Sequence, residues 1–340
     1  MAAQEEKVTI LEIAERANVS PSTVSRVLRG SARVKQSKHD AVMQAVAELN
    51  YRPNVMAQSL ASGQSMTLGV ITQNVGSPFY DAILLGILQG LEDSSYSAIF
   101  ADGRWQSAVE QRSIDMLLNR RVDGLILIGG LTSDDVLQNI AFQKPIILVA
   151  RPSHALADQC IRVDNFKGAY AATQYLNEMG HRNIAHITTP AESEVAVDDV
   201  LQRFEGYKQA LCDAGIELDP QLVVEGNLLQ QSGVMAVERL LMGKRPFSAI
   251  FCANDQMAFG ANLALFRRGF RVPEDVSLVG FDDHYSSAYS IPPLTTVRQP
   301  AVELGHAAAA AILDLINKKD ATIPFFEPKL IVRESVARLR

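Results

Sequence analysis

The sequence predicts an α/β protein: a small all-helical segment at the N-terminus, followed by two doubly wound parallel sheets. Beyond about residue 65, continuous apolar runs alternate with longer amphipathic segments, as expected for parallel strands covered by helices on both faces. Before that point, apolar residues recur only with helical spacing. The short joint Ser62-Gly63-Gln64-Ser65 separates the two regions.

The predicted strands and helices of the larger region are numerous enough for two sheets. The strands are 68–71, 98–101, 124–128, 145–149, 161–163, 184–187, 249–252 and 278–281. The helices are 81–91, 108–119, 168–179, 201–214, 232–242 and 256–267. Ligands of such open sheets bind at the carboxyl ends of the strands, so the polar residues after each run are candidates for a binding site.

The N-terminal region contains two short helices joined by a three-residue turn. Residues 10–17 place their apolar side chains on one stripe. Ser20 is a suitable N-cap for the second helix, and Pro21 fits its first position, where no amide donor is needed. This second helix runs to about Leu28 and has one apolar face and one polar, basic face. The pattern predicts a helix-turn-helix whose core is closed by a third helix starting at Ser37.

Charge is distributed unevenly along the chain. The formal net charge is −6 at pH 7, which by itself argues against a nucleic-acid partner. Residues 1–65, however, carry eight basic and six acidic side chains, or +2, which leaves 24 basic and 32 acidic side chains, or −8, for residues 66–340. The stretch from Arg16 to His39 holds six basic residues and no acidic one. This local excess favours a phosphate backbone as the partner of the helix-turn-helix.

Six longer motifs resemble the LacI–GalR family of bacterial repressors. They are VTILEIAERANVSPSTVSRVL (8–28), LNYRPNVMAQSLASGQS (49–65), GHRNIAHI (180–187), IFCANDQMAFGA (250–261), VPEDVSLVGFDD (272–283) and PPLTTVRQP (292–300). The motifs occur in the family's order and span nearly the whole chain. The resemblance implies a DNA-binding head, a hinge helix and a two-lobed core of the periplasmic-binding-protein-like type (type I) that binds a small effector.

The resemblance also gives domain boundaries. We expect residues 1–52 to form the helix-turn-helix domain, 53–65 the hinge helix and linker, and 66–340 the effector-binding and dimerisation core. Within the core, lobe one is expected to take about 66–161 and 293–323, and lobe two about 162–292 and 324–340.

The second helix of the head is expected to read DNA. Arg26 is expected to carry most of the direct readout, because arginine pairs bidentately with guanine. Pro21 and Ser22 lie where the family sets operator preference, with Ser22 as the weaker reader. Ser20, Ser25, Arg29 and Lys35 are expected to touch phosphates, although plain solvation is an equal alternative for Arg29 and Lys35.

The hinge, Asn54–Ala61, is too short to be a stable helix alone. The resemblance implies that it folds on DNA and enters the minor groove, where Leu60 wedges between base pairs. Asn54, Ala57 and Gln58 line the neighbouring turns. Packing against the core of its own domain is the alternative for Leu60.

The effector site is expected where polar residues follow strands of both lobes. By family position the first candidates are Phe79, Arg203, Asn254 and Asp282, and the remaining ones are Tyr80, Arg104, Trp105, Arg151, Asp164 and Gln299. Trp105 is either a pocket wall or buried packing, and Asp283 is either a ligand contact or a structural cap. Leu228 stands where several relatives carry a stacking aromatic residue, so the identity of the ligand stays open.

The resemblance implies a cytoplasmic, DNA-binding transcriptional regulator, expected to repress genes of carbohydrate uptake or catabolism. It would bind a palindromic double-stranded DNA operator as a homodimer, under control of a sugar, glycoside or sugar phosphate. An activator or dual regulator of the same architecture and a transport-type sugar-binding protein are the alternatives. The sequence holds no G-x-S-x-G, P-loop or H-E-x-x-H motif, so we expect neither an enzyme nor a cofactor or metal. We expect no membrane span, and reduced, packed thiols for the three cysteines.

Overall fold

The computed structural model describes residues 8–28, 34–51, 63–190 and 198–339. The chain divides into two compact units, Met1–Ser65 and Met66–Arg340. The described part of the first unit is helical, and the second unit contains two mainly parallel sheets covered by helices. The predicted fold class is confirmed.

Three helices form the described part of the N-terminal unit: α1 (Ile10–Arg16), α2 (Pro21–Leu28) and α3 (Gln36–Glu48). Thr9 caps α1 in a reciprocal capping box with Glu12. Asn18 adopts the left-handed conformation, with φ of 51°, that the tight turn between α1 and α2 requires. Their small shared core consists of Ile13, Ala14, Val24, Val27, Val42 and Ala45.

Two local details of this unit differ from the expectations. Helix α3 begins one residue before Ser37, and its N-cap, Lys35, forms no side-chain capping bond. In the first turn, the side-chain Nε2 of Gln36 donates to Asp40 Oδ1 at 2.9 Å. Arg16, the first basic residue of the acid-free stretch, donates from Nε to Glu48 at 2.7 Å. In the fold, Arg16 is therefore paired with an acidic side chain, although the stretch from Arg16 to His39 contains none.

The first sheet belongs to lobe one and has the order β11-β5-β4-β3-β1-β2 with all strands parallel. Its strands are β1 (Thr67–Thr72), β2 (Ser97–Asp102), β3 (Gly124–Ile128), β4 (Ile146–Val149), β5 (Cys160–Val163) and β11 (Phe325–Phe326). The covering helices are α4 (Pro78–Leu91), α5 (Ser107–Asn119), α6 (Asp134–Ala141) and α11 (Ala301–Ile316). Alternate strand residues supply two separate apolar clusters, because successive side chains point to opposite faces.

The second sheet belongs to lobe two and has the order β12-β10-β9-β8-β6-β7, with β12 alone antiparallel to its neighbour among the described strands. Its strands are β6 (Ile184–Thr188), β7 (Val223–Glu225), β8 (Ala249–Cys252), β9 (Ser277–Asp282), β10 (Thr295–Arg298) and β12 (Lys329–Ile331). The covering helices are α7 (Asn165–Glu178), α8 (Asp198–Asp213), α9 (Gln230–Met242) and α10 (Asp255–Arg267). Short 3-10 helices lie at Ala157–Gln159, Pro220–Leu222 and Tyr285–Ala288.

The chain passes between the sheets three times, and each passage comes later than the expected lobe boundaries. β5 reaches Val163, so lobe one extends past residue 161. β10 pairs in parallel with β9, with Thr295 opposite Val279, so lobe two continues to about residue 298 and not 292. β11 pairs with β5, which keeps Phe325–Phe326 in lobe one and not lobe two. The second and third passages were misplaced because a polar four-residue strand and a two-residue strand give no continuous apolar run. The first was placed two residues early, within the run 161–163 that was itself predicted as a strand.

Two further features concern membranes and thiols. Within the described ranges, no helix is long and apolar enough to cross a membrane. Cys160 and Cys252 are buried free thiols as expected, whereas the free thiol of Cys212 is exposed.

Candidate functional site

A cavity of about 520 Å³ lies at the carboxyl ends of strands from both lobes. Lobe one lines it with Gln73, Asn74, Ser77, Phe79, Tyr80, Asp102, Arg104 and Trp105. Lobe two lines it with Thr189, Pro190, Asp199, Val200, Arg203, Gly226, Asn227, Leu228, Leu229, Asn254 and Asp282. We call this space the main cavity. It contains seven of the ten residues expected at the effector site.

Three aromatic side chains form one wall of the main cavity. The ring centroids of Phe79 and Tyr80 are 5.4 Å apart, and those of Tyr80 and Trp105 are 6.3 Å apart, both in edge-to-face geometry. Burial raises the pKa of Tyr80. A Cβ on Gly129 would lie 3.3 Å from the Trp105 ring and from the Tyr80 hydroxyl, so glycine lets the backbone approach this wall closely. Trp105 is thus a wall residue of the cavity.

Arg203 is the buried cation of the main cavity, and only 5% of the residue is exposed. Its Nε donates to Asn165 Oδ1 at 2.8 Å, and a terminal nitrogen donates to the Ala253 carbonyl oxygen at 2.6 Å. The guanidinium carbon lies 4.0 Å from the centroid of the Phe281 ring. These three contacts fix the orientation of the planar guanidinium. Its terminal nitrogen lies 3.6 Å from Asp282 Oδ1.

Asp282 is held in a strained position at the end of β9. Its backbone φ is 114°, a value that residues with a Cβ rarely adopt. Its carboxylate accepts a hydrogen bond from Gln299 Nε2 at 2.7 Å. Burial raises the pKa of Asp282 to about 6, although Arg203 and Gln299 oppose the shift. Gln299, which does not line the cavity itself, therefore positions a carboxylate that does.

Asn254 occupies the N-cap of α10 and faces the cavity. Its Oδ1 accepts from the Met257 amide at 2.9 Å, while its Nδ2 donates to the Leu228 carbonyl oxygen at 2.9 Å. Leu228 has a left-handed φ of 65°. The side chain of Asn254 thus fixes the backbone of the segment where the sequence lacks the expected aromatic residue.

A side chamber of about 160 Å³ adjoins the main cavity and shares Trp105 and Asp199 with it. Arg151 lines this side chamber and not the main cavity. Its guanidinium donates to the Thr132 carbonyl oxygen at 2.6 Å and lies 3.6 Å from the fully buried carboxylate of Glu110. Burial lowers the pKa of Arg151 despite the nearby Glu110.

The polar face of α2 is the candidate DNA-reading surface of the N-terminal unit. Pro21, Ser22 and Arg26 are exposed on it, and Ser25 is half-buried. Arg26 folds back so that its Nε donates to the Ser22 carbonyl oxygen at 3.3 Å. Ser20 acts as the predicted cap, because its hydroxyl accepts from the Thr23 amide at 3.3 Å. Five further expected DNA contacts lie outside the described residues: Arg29, Asn54, Ala57, Gln58 and Leu60.

Comparison with known proteins decides the family. Residues 9–54 match the profile of the bacterial regulatory proteins of the lacI family, and residues 173–336 match a periplasmic binding protein-like domain. The ribose operon repressor of Haemophilus influenzae is 34% identical over 98% of this chain and 99% of its own length. The transcriptional regulator AscG of Escherichia coli is 34% identical over 96% of this chain and 98% of its own length.

The chain belongs to the LacI family. Among solved structures, the lac repressor dimer bound to operator and the anti-inducer ONPF superposes with a TM-score of 0.86, 28% identity, and coverage of 98% of this chain and 100% of that chain. A complex of the regulator CelR with cellobiose gives a TM-score of 0.72, 33% identity, and coverage of 96% and 99%. The predicted resemblance is confirmed, and the protein is a DNA-binding transcriptional regulator of this family.

Two carboxylates after strands of this LacI-family core do not join the cavity. Asp255 is buried, and it accepts from the Ser287 hydroxyl, the Thr296 hydroxyl and the His284 amide. Burial is the largest cause that raises its pKa to about 8. Asp283 instead accepts from Arg298 at 2.6 Å and Arg333 at 2.7 Å. Each of these carboxylates therefore fixes loops of lobe two.

Asp164 has a structural role as the N-cap of α7. Its Oδ1 accepts a hydrogen bond from the Lys167 backbone amide at 2.8 Å. It does not line either cavity described above. Its role in effector binding remains a prediction.

The sequence reasoning missed five polar residues that line the main cavity: Gln73, Asn74, Thr189, Asp199 and Asn227. Gln73 and Thr189 come directly after β1 and β6, so the rule that ligands bind at strand ends would have found both. Asp199 lies in the first turn of α8 and has no such signal in the sequence.

Proposed function

We propose that this LacI-family regulator is a cytoplasmic repressor of carbohydrate genes. It binds a palindromic operator as a homodimer, and a small carbohydrate in the main cavity changes its affinity for DNA. The observation that carries the proposal is the full-length similarity to proteins named as repressors, including a repressor dimer on its operator. The family consists of regulatory DNA-binding proteins, and we assign the cavity a binding role and no catalytic one.

For DNA reading, we infer that α2 enters the major groove of each half-site. Arg26 is exposed there and long enough to pair with a guanine edge, and Ser22 lies one turn earlier on the same face. Ser20 and Ser25, together with Arg29, are assigned to phosphates. The hinge residues Asn54, Ala57, Gln58 and Leu60 are assigned to the minor groove at the operator centre.

For effector binding, we infer that the aromatic wall of Phe79, Tyr80 and Trp105 packs against the apolar face of a sugar ring. Charged and amide groups on the opposite lobe, above all Arg203 and Asp282, then bind its hydroxyls. A volume of about 520 Å³ supports this assignment, because ligand sites commonly span roughly 300–1,000 Å³. The CelR structure contains cellobiose, which supports a carbohydrate as the chemical class of the ligand.

Exposed apolar side chains support the dimer. On α4, Leu85 and Leu88 are about half exposed, at 48% and 47%. On lobe two, Phe266, Tyr289 and Ile291 are more than two-thirds exposed, at 77%, 71% and 89%. Apolar surface of this kind on a soluble fold is typical of an interface between protein chains.

The test is a search for the operator and for the ligand effect on it. Operator DNA is selected from a random-sequence pool by the purified full-length protein, and binding is measured by fluorescence anisotropy at low salt with and without a panel of sugars. A palindromic consensus whose affinity changes with at least one sugar supports the proposal. No sequence-specific binding in either ligand state refutes it. A reporter with the operator moved relative to the promoter separates repression from activation.

A further inference from the structure

We propose that Asp199 makes the main cavity selective for uncharged or amine-bearing carbohydrates and against sugar phosphates and sugar acids. The proposal rests on the proposed function, because it concerns the ligand of the same cavity. It excludes anionic carbohydrates from the candidate effectors.

Asp199 is placed where a ligand in either space must meet it. The residue is 7% exposed, and it lines both the main cavity and the side chamber. It faces these spaces from lobe two, whereas Trp105, the other residue shared by both, belongs to lobe one. A bound carbohydrate that fills the main cavity therefore approaches the Asp199 carboxylate.

The guanidiniums near this carboxylate are shared with other carboxylates. Arg203 opposes the raised pKa of both Asp199 and Asp282, so one cation serves two buried carboxylates. Its ion pair at 3.6 Å is with Asp282, and it also donates to Asn165 and to the Ala253 carbonyl oxygen. In the side chamber, Arg151 is balanced by the buried Glu110. Neither guanidinium offers an uncompensated positive charge to an anionic ligand.

The charge of the cavity lining has the same sign as Asp199. Among the described residues, three carboxylates line the main cavity (Asp102, Asp199 and Asp282), against two guanidiniums (Arg104 and Arg203). One negative charge of this lining is therefore not balanced, and the low dielectric constant of a buried site strengthens its effect on a ligand. An added phosphate or carboxylate of a ligand is repelled there, whereas hydroxyls and ammonium groups donate to the acceptor oxygens.

Two buried polar side chains lie beside the main cavity. Gln73 is 1% exposed and Thr189 is 7% exposed, and both line the main cavity from opposite lobes. Gln73 Nε2 and Thr189 Oγ1 find no hydrogen-bond partner among the described residues. The lining therefore keeps donor and acceptor capacity of the kind that hydroxyl groups match.

The test uses matched probes on the full-length protein. Isothermal titration compares glucose with glucose 6-phosphate and glucosamine, ribose with ribose 5-phosphate, and cellobiose with cellobionate. Wild-type protein is expected to bind at least one uncharged or amino sugar about tenfold or more tighter than its anionic partner. Asp199→Asn and Asp199→Ser are expected to reduce that ratio about tenfold, mainly by strengthening binding of the anionic partner.

Glu205→Gln is the matched control. It removes the same charge from the same helix, but its side chain is 57% exposed and pairs with Lys208 on the solvent face. This variant is expected to keep the wild-type ratio. Circular dichroism of each ligand-free variant verifies folding, and the serine variant serves if the asparagine variant does not fold.

Three results would overturn the proposal: equal or tighter binding of the anionic partners by wild-type protein, an unchanged ratio in both Asp199 variants, or no binding of any uncharged or amino sugar. Failure of the proposed function is distinguishable, because operator binding without ligand tests that function directly. A protein that binds operator and responds only to a sugar phosphate keeps the proposed function and refutes the role of Asp199.

Discussion

Replacement of Arg203 by methionine is expected to destabilise the two-lobed core strongly at pH 8 and much less at pH 5. The substitution removes the hydrogen bonds to Asn165 and the Ala253 carbonyl oxygen, and the cation over the Phe281 ring. Methionine keeps an unbranched chain that fills part of the same space. The main loss is therefore the positive charge between two buried carboxylates, those of Asp199 and Asp282.

The expected magnitude follows from the burial of these groups. Removal of one partner of a buried ion pair typically costs about 3–5 kcal/mol in the free energy of unfolding, because it leaves an uncompensated charge. Burial raises the pKa values of Asp199 and Asp282 to about 6 each, and Arg203 counteracts both shifts. Loss of Arg203 raises both pKa values further, and each added pKa unit corresponds to about 1.4 kcal/mol at high pH.

The direction of the pH effect is fixed by the sign of these shifts. A carboxyl whose pKa is higher in the folded than in the unfolded state contributes stability at low pH and loses it as the pH rises through the folded-state pKa. At pH 5 both carboxyls in the variant are largely protonated and need no cation. At pH 8 ionisation of both carboxyls is favoured by the solvent but opposed by burial with no cation to offset it, so the destabilisation is expected to exceed that at pH 5 by about 1.4 kcal/mol or more.

The assay is urea unfolding followed by circular dichroism at pH 5, 6.5 and 8. Arg203→Lys is the control, because it keeps the charge but loses the planar fork that binds Asn165 and Ala253 together. Its destabilisation is expected to depend less on pH than that of Arg203→Met. Equal destabilisation of the methionine variant at pH 5 and pH 8 would refute the assignment of Arg203 as the counter-ion of the two carboxylates.

Three further predictions concern the reader, the hinge and a cavity glycine. Arg26→Ala is expected to weaken operator binding by about 1–3 kcal/mol and to relax specificity at one base pair, measured by anisotropy on operator variants; unchanged affinity would remove its readout role. Leu60→Ser is expected to weaken operator binding sharply in a gel shift while sugar binding by calorimetry stays intact, and an unaltered gel shift would contradict the wedge. Gly130→Ala is expected to lower the unfolding free energy by more than about 1 kcal/mol, because its φ is 111° and a Cβ would meet Glu110 Oε1 at 2.3 Å. Gly215→Ala, with φ of 66° and nothing within 4 Å, is its control for backbone strain alone, and equal losses in both variants would rule out the steric term.

The helices of the N-terminal unit show what local sequence rules predict well. The apolar spacing, the Ser20 cap and the turn at Asn18 all depend on residues within one or two turns of each other, and the structure contains each of them. The passages between the lobes were harder to predict. Thr295–Arg298 becomes a strand only because β9 is available beside it, and the pairing partner lies more than ten residues away.

The main cavity shows the same contrast for individual side chains. The strand-end rule and the family motifs placed the aromatic wall, Arg203, Asn254 and Asp282 together, and all of them line this cavity. Their part in effector binding stays a prediction. They did not predict that Arg151 turns to Glu110 in a side chamber. A strand-end position says where the backbone lies, but the direction of a long side chain depends on which carboxylate another helix brings near.

The sequence by itself determined the fold class, the family and the reader helix, because each depends on periodicity, capping or motif order along the chain. Tertiary structure alone decided the charge of the cavity. The first turn of α8 places Asp199 in the lining of the cavity, where Asp282 pairs with Arg203. The positions of these three residues along the chain do not predict that they come together. The physical reason is that a carboxylate acquires its role from the charges and burial around it, which distant segments supply only after folding.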